Sequence, residues 1–243
     1  MGRLIPYGAI FQASPCKQLP MAVVLQLLES SILAGNDTDP QYQYEYISAE
    51  PLFPKRSALL SANELLFLGT AIHIAIRKCF TSILAAAANA TVVVVEPPLF
   101  AIPLKKTVAK VILGELRALT LTFVSQSACI CVASGESQGI VDGVFNGVRY
   151  LVPVYDYREL SYLIQSNDPD SVVDGDEAQG DGLARLRKRL PIDLCHLNVI
   201  EDTDKQQAWL GAAIVSRNAR LRNSTSRSDY LKNGFIHDNF NLF

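Results

Sequence analysis

Apolar residues run from 8 to 34, broken by Pro15 and Pro20 and ended at Gly35. Asn36 to Ser48 is then polar and tyrosine-rich, and Pro40, Pro51 and Pro54 forbid one continuous helix across 35–58. The alternation of Tyr42, Tyr44 and Tyr46 fits either one face of a strand or an exposed loop docking on a partner. Ser61 or Asn63 can cap a helix reaching about Phe80, with Glu64 complementing the dipole of its first turn. Leu65, Leu66, Leu68, Ile72, Ile76 and Phe80 give that helix a broad apolar face, so it is predicted to be largely buried. Val92 to Val95 predicts a short central strand, ended by Glu96-Pro97-Pro98.

Lys105 to Leu119 reads as an amphipathic helix. Val108, Ile112, Leu116 and Leu119 form its apolar stripe, with Lys105, Lys106, Lys110 and Arg117 largely elsewhere. Thr122-Phe123-Val124 is a short strand, and Gln126 to Ala133 a buried helix stopped by Gly135. Gly139 to Val141 and Val148 to Tyr155 follow as strands, with Phe145-Asn146-Gly147 as the turn signal. Residues 166–182 are acidic and contain Gly and Pro, which predicts a linker or mobile loop. Helices are expected at Leu183–Leu190, Gln206–Arg222 and around Ser228–Lys232, and a strand at His196–Ile200. This order predicts an α/β fold, a mixed sheet flanked by helices. The expected organisation is a core over 1–165, an acidic linker over 166–182 and C-terminal helices over 183–243 that pack back on the core.

Composition narrows the chemistry. The chain has 243 residues and a net charge of −2, enough for a sizeable core but without the excess positive charge of a general nucleic-acid binder. The five cysteines, Cys16, Cys79, Cys129, Cys131 and Cys195, are scattered without CxxC pairs, which fits a reducing compartment rather than a disulfide framework or a zinc site. His73, His196 and His237 show no metal-ligand spacing. The uncharged stretch Cys79 to Val95 approaches membrane-spanning length, but Thr81, Ser82, Asn89 and Thr91 interrupt it. The start of the chain has no signal-peptide core, so a cytosolic or nuclear location is expected and no membrane insertion. The aspartates of 168–181 lack the spacing of a calcium loop, and Arg185 to Arg189 reads as a solvated or partner-facing basic helix. GxSxG, GxGxxG and GxxxxGK[ST] motifs do not occur.

Several segments, in order, resemble the actin superfamily. Val92 to Pro98 followed by the Lys105–Leu119 helix is similar to its strand, E-x-P-L turn and next helix. Val132-Ala133-Ser134-Gly135, Gly139-Ile140-Val141 and Val152-Pro153-Val154-Tyr155 resemble the helix end and second phosphate-binding hairpin. Ala208-Trp209-Leu210-Gly211-Ala212-Ala213-Ile214 resembles the W-[IL]-G-G helix start, and Ser228 to Gly234 the segment beyond it. Gly8 to Lys17 is more weakly similar to the early G-F-A-G hairpin. The resemblance spans two thirds of the chain and implies a partial actin-like, RNase-H-like fold, mainly the small outer lobe with a reduced second lobe.

Family members hold ATP between two glycine-rich hairpins whose N–H groups cradle phosphate. The first hairpin would lie before Gly8, where only Met1 to Tyr7 stand. In the second, D-x-G-D-G-x-T aligns with Gly143, Val144, Phe145, Asn146, Gly147, Val148 and Arg149. Gly143 thus replaces the metal-organising aspartate, and Phe145 stands where glycine admits phosphate. The adenine-side motif aligns with Gly175-Asp176-Glu177, whose acids would repel phosphate, and the short span from Tyr155 to Gly175 omits most of a second large domain. Gln126 aligns with the family's water-positioning glutamine, and reads either as retained hydrolysis or as an amide capping a helix.

The resemblance implies a non-catalytic structural subunit without a cofactor or metal. It would cap or extend an actin-like filament and dock other subunits of a large cytoskeletal complex, in the manner of the branch at the pointed end of dynactin. A subunit of a chromatin-remodelling assembly and a weak residual ATPase are the alternatives. A partner groove is expected around Leu99–Pro103, Gln126–Ala133 and Ala208–Arg222, with Arg217, Arg220 and Arg222 engaging an acidic neighbour.

Overall fold

The computed structural model describes residues 22–28, 31–36, 44–48, 61–83, 87–88, 90–145, 147–167, 182–218, 224–234 and 236. The chain is α/β, with two mixed sheets and helices between and outside them. The first sheet contains β1 (Ala22–Leu27), β2 (Ser31–Asn36), β3 (Tyr44–Ser48), β4 (Thr91–Glu96) and β5 (Thr120–Ser125), and a short β11 (Thr225–Ser226). Its order is β11-β5-β4-β1-β2-β3. β1, β2 and β3 form an antiparallel meander, while β4 runs parallel to β1 and β5 parallel to β4. The apolar run before Gly35 thus resolves into two strands, and the Tyr44–Tyr46 alternation belongs to a strand; Tyr42 lies outside the described residues.

Because side chains alternate along strands, each central strand feeds two cores. Val23, Leu25, Val92, Val94, Leu121 and Phe123 face a layer made by α1 (Ala62–Ser82) and α2 (Ile102–Ala109) with the π-helical turn Lys110–Glu115 that continues it. Val24, Val93, Val95 and Val124 face α3 (Gln126–Ser134) and α5 (Gln207–Asn218). Both faces being covered explains why β1 and β4 are almost wholly apolar.

The second sheet packs on the far side of α3 and α5 through Val141, Val152 and Val154. It orders β10 (Val199–Glu201), β6 (Gly139–Phe145), β7 (Val148–Tyr155) and β8 (Arg158–Glu159), with β9 (Gln165–Asn167) also on β7. Its outer face is closed by α4 (Gly182–Arg189), whose Leu186 packs with Leu190, Ile140 and Leu151. A short α6 (Arg227–Asn233) follows β11. The predicted Leu183 and Ser228 helices are therefore present, whereas the strand expected at His196–Ile200 starts only at Val199. Residues 168–181, with the acidic linker, and 219–223 lie outside the described residues.

Local signals account for the helix ends. Ser61 and Glu64 make a reciprocal capping box on α1, with the Ser61 N–H donating to Glu64 at 2.7 Å. Gly135 ends α3 in the left-handed region at φ 74°. Two expectations for the helices need correction. Leu66 is 73% exposed, because the inward face of α1 is Leu68, Ala71, Ile72, Ala75, Ile76 and Cys79. Lys105, expected largely off the apolar stripe, is buried, and Glu96 at the end of β4 pairs with its ammonium at 2.8 Å. The amphipathic pattern also spans two geometries: α2 starts earlier, at Ile102, and the π turn ends at Glu115.

Candidate functional site

The carboxyl ends of parallel strands are where ligands commonly bind in open α/β sheets. Here β4 ends at Glu96 and β5 at Ser125, which stand opposite one another in register. Ser125 also caps α3, its hydroxyl accepting from the Ala128 N–H at 3.4 Å. That hydroxyl donates to Glu159 Oε2 of β8 at 2.5 Å, and Ser161 donates to Glu159 Oε1 at 3.2 Å. Lys105 bonds Glu96 and lies 5.3 Å from the Phe123 ring centroid, a cation–π distance. This end of the sheet is therefore a buried polar joint between the two sheets.

Burial holds the Glu159 carboxyl above its ordinary value, opposed by its two serine hydrogen bonds and by Lys105. A carboxyl raised in the fold binds its proton more tightly there than in the unfolded chain. Stability therefore falls as pH rises from about the ordinary 4.5 through the raised value. We expect Glu159→Gln to flatten this slope in denaturant midpoints measured from about pH 4 to pH 7. An unchanged slope would mean that Glu159 is solvated.

Beside this joint, the crevice is narrowed by the chain itself. Gln126 begins α3, and its Nε2 donates to Asp202 Oδ2 at 3.1 Å. Asp202 follows β10, its N–H bonded to the Asp142 carbonyl at 2.9 Å. Gly143 of β6 makes room for it: a Cβ there would stand 3.1 Å from the Asp202 carboxylate. Burial raises Asp202, the Gln126 bond opposes that rise, and Asp204 adds to it. Asp142 is held by Arg149 across the hairpin, with Arg149 Nε 2.8 Å from Oδ1. What remains between Gln126, Ser127, Asp202 and the apolar Ile130, Val144 and Phe145 is a cavity of about 10 Å³, against the ~300–1,000 Å³ of ordinary ligand pockets.

The structure thus brings Gln126, Gly143 and Phe145 together around one small space. Gly147 is set apart at the hairpin turn, φ 77°, and Asn146 lies outside the described residues, as does Gly175-Asp176-Glu177. Gln126 is not the helix cap; Ser125 is, and the amide is committed to Asp202. Sequence reading missed Asp202, which stands 76 residues from its partner; the turn-like Glu201-Asp202-Thr203-Asp204 gives no signal of burial. Of the segments expected to line a partner groove, α3 and α5 pack directly on one another, with Gly211 against the Cys129 backbone. Arg217 is exposed at the end of α5, while Arg220 and Arg222 lie outside the described residues.

Thiol chemistry has no place in this core. Burial pushes Cys79 and Cys131 up to about 12 and Cys129 higher still, so none is a thiolate near neutrality. In the basic run, Arg187 is spent on the Cys195 and Leu197 carbonyls, while Arg185, Lys188 and Arg189 line an open concavity of about 620 Å³ with Ser166. Among the described residues, no group of three or more His, Cys, Asp or Glu is arranged to hold a metal ion. No described helix is long and apolar enough to cross a membrane.

No protein-family model matches the chain, and no curated protein is significantly similar to it in sequence.

Proposed function

We propose that this chain is a non-catalytic, shortened actin-related subunit that works by assembly. The observation carrying this reading is the crevice at the ends of β4 and β5, filled by Asp202 and Phe145 down to a water-sized space. A nucleotide needs a cradle of N–H groups and room for phosphate, and a carboxylate in that position repels it. The mixed sheets flanked by helices are compatible with the partial actin-like reading of the fold. The motif order from Val92 to Gly234 supports it further.

An assembly role is supported by apolar surface left open on α1, where Leu66, Phe67 and Ile74 are 73%, 63% and 51% exposed. Clustered exposed apolar residues mark partner interfaces. The partners would be actin or actin-like filament subunits and the other subunits of a cytoskeletal complex of the dynactin pointed-end kind, in the cytoplasm. Affinity purification with mass spectrometry tests this, with dynein–dynactin subunits expected. A remodelling ATPase in their place would move the chain to the nucleus and overturn the cytoskeletal reading. The joint substitution Arg217→Glu, Arg220→Glu and Arg222→Glu is expected to weaken incorporation, more so at low salt, where exposed charges reach beyond about 8–10 Å. Unchanged incorporation at low salt would remove that surface.

A further inference from the structure

The narrow crevice leaves three buried polar atoms of adjoining side chains without a partner among the described residues: Gln126 Oε1, Ser127 Oγ and Asp202 Oδ1. Gln126 is 8% exposed and Ser127 1%, so solvent does not serve them. Buried polar groups are almost always hydrogen-bonded. All three residues line the same cavity, whose volume of about 10 Å³ matches the space one water requires.

We propose that this cavity is a binding site for a single water molecule, which joins the second sheet to the start of α3. The donor and acceptor counts close around it. Gln126 Nε2 already donates to Asp202 Oδ2, which fixes the amide with Oε1 turned away from the carboxylate. The reverse orientation would set oxygen against oxygen. One water donates its two hydrogens to Gln126 Oε1 and Asp202 Oδ1 and accepts the Ser127 hydroxyl proton, so every unmatched group is paired. Ile130, Val141, Phe145 and Val152 line the site with apolar surface, which leaves the polar atoms as its bonding partners. Gly143 keeps the space from being filled on the hairpin side, by admitting Asp202 against its backbone.

A crystal structure of the full chain near atomic resolution provides the first test. The expected result is one isolated peak about 2.7–3.2 Å from all three atoms. A peak with contacts of about 2.3–2.6 Å to several oxygens would mark a bound cation, and a collapsed cavity without a peak would show direct pairing; either overturns the proposal. Water-to-amide NMR transfer is the second readout, with a long-lived signal at the Ser127 N–H. Gln126→Met removes one acceptor and fills the space, and is expected to abolish the signal. Ser127→Val does the same from the other side and serves if the first variant fails to fold. Persistence of the signal in a folded variant would overturn the assignment.

Discussion

Gly211→Ala is expected to destabilise the chain by about 3 kcal/mol, a large share of the ~5–15 kcal/mol that ordinarily holds a domain folded. In an open helix the same change would be favourable by about 1 kcal/mol, since alanine is the better helix former. Here the contact decides the sign. A Cβ on Gly211 would stand 1.9 Å from the Cys129 carbonyl oxygen and 2.6 Å from its carbon. Those are backbone atoms of α3 and cannot rotate away, so α3 and α5 would have to separate. Separation would unpack the layer between the two sheets, which holds Trp209, Ala212, Ala213 and Ile130. Urea unfolding of the two proteins reads the difference directly. A midpoint equal to or above the parent's would mean that the helices do not cross at Gly211.

Trp209→Ala should have a comparable effect, about 3–5 kcal/mol. The indole is fully buried between β1, β4 and α3, and its Nε1–H donates to the Val24 carbonyl at 3.1 Å. Truncation leaves a large cavity at the centre of the molecule and removes that bond. Trp209→Phe separates the terms: it keeps most of the apolar volume and should cost about 1–2 kcal/mol, the share of the lost hydrogen bond and imperfect packing. As the chain has one tryptophan, its fluorescence also reports the fold, with blue-shifted emission expected in the native state. Red-shifted native emission would place the indole in water and contradict the packing.

The sequence is most legible where one residue type allows one conformation. Ser61 and Glu64 announce α1, Gly135 stops α3, and the valines of β4 fit only a strand covered on both faces. The mixed α/β class follows from their order. What escapes is set by partners distant in the chain. Lys105 reads as lying off the apolar stripe until Glu96 is brought beneath it, and Leu66 reads as core until the contacts of α1 show which stripe faces β2. The hairpin β1–β2 was hidden because strands buried on both faces show no alternation.

The candidate site divides in the same way. That Phe145 and Gly143 of the hairpin stand beside Gln126 follows the order of residues expected from the resemblance. Asp202 could not be read from the sequence, because its role comes from Gly143 and Gln126 meeting it across the space between the sheets.

We propose that this crevice admits no nucleotide and that the chain acts by assembly. Calorimetric titration of the purified full chain with magnesium ATP, beside melting curves with and without it, addresses the claim most directly. The account predicts no saturable heat and no shift in melting temperature at millimolar ATP. Stoichiometric binding, or stabilisation of the ~2.7 kcal/mol expected at a hundredfold excess over Kd, would contradict it.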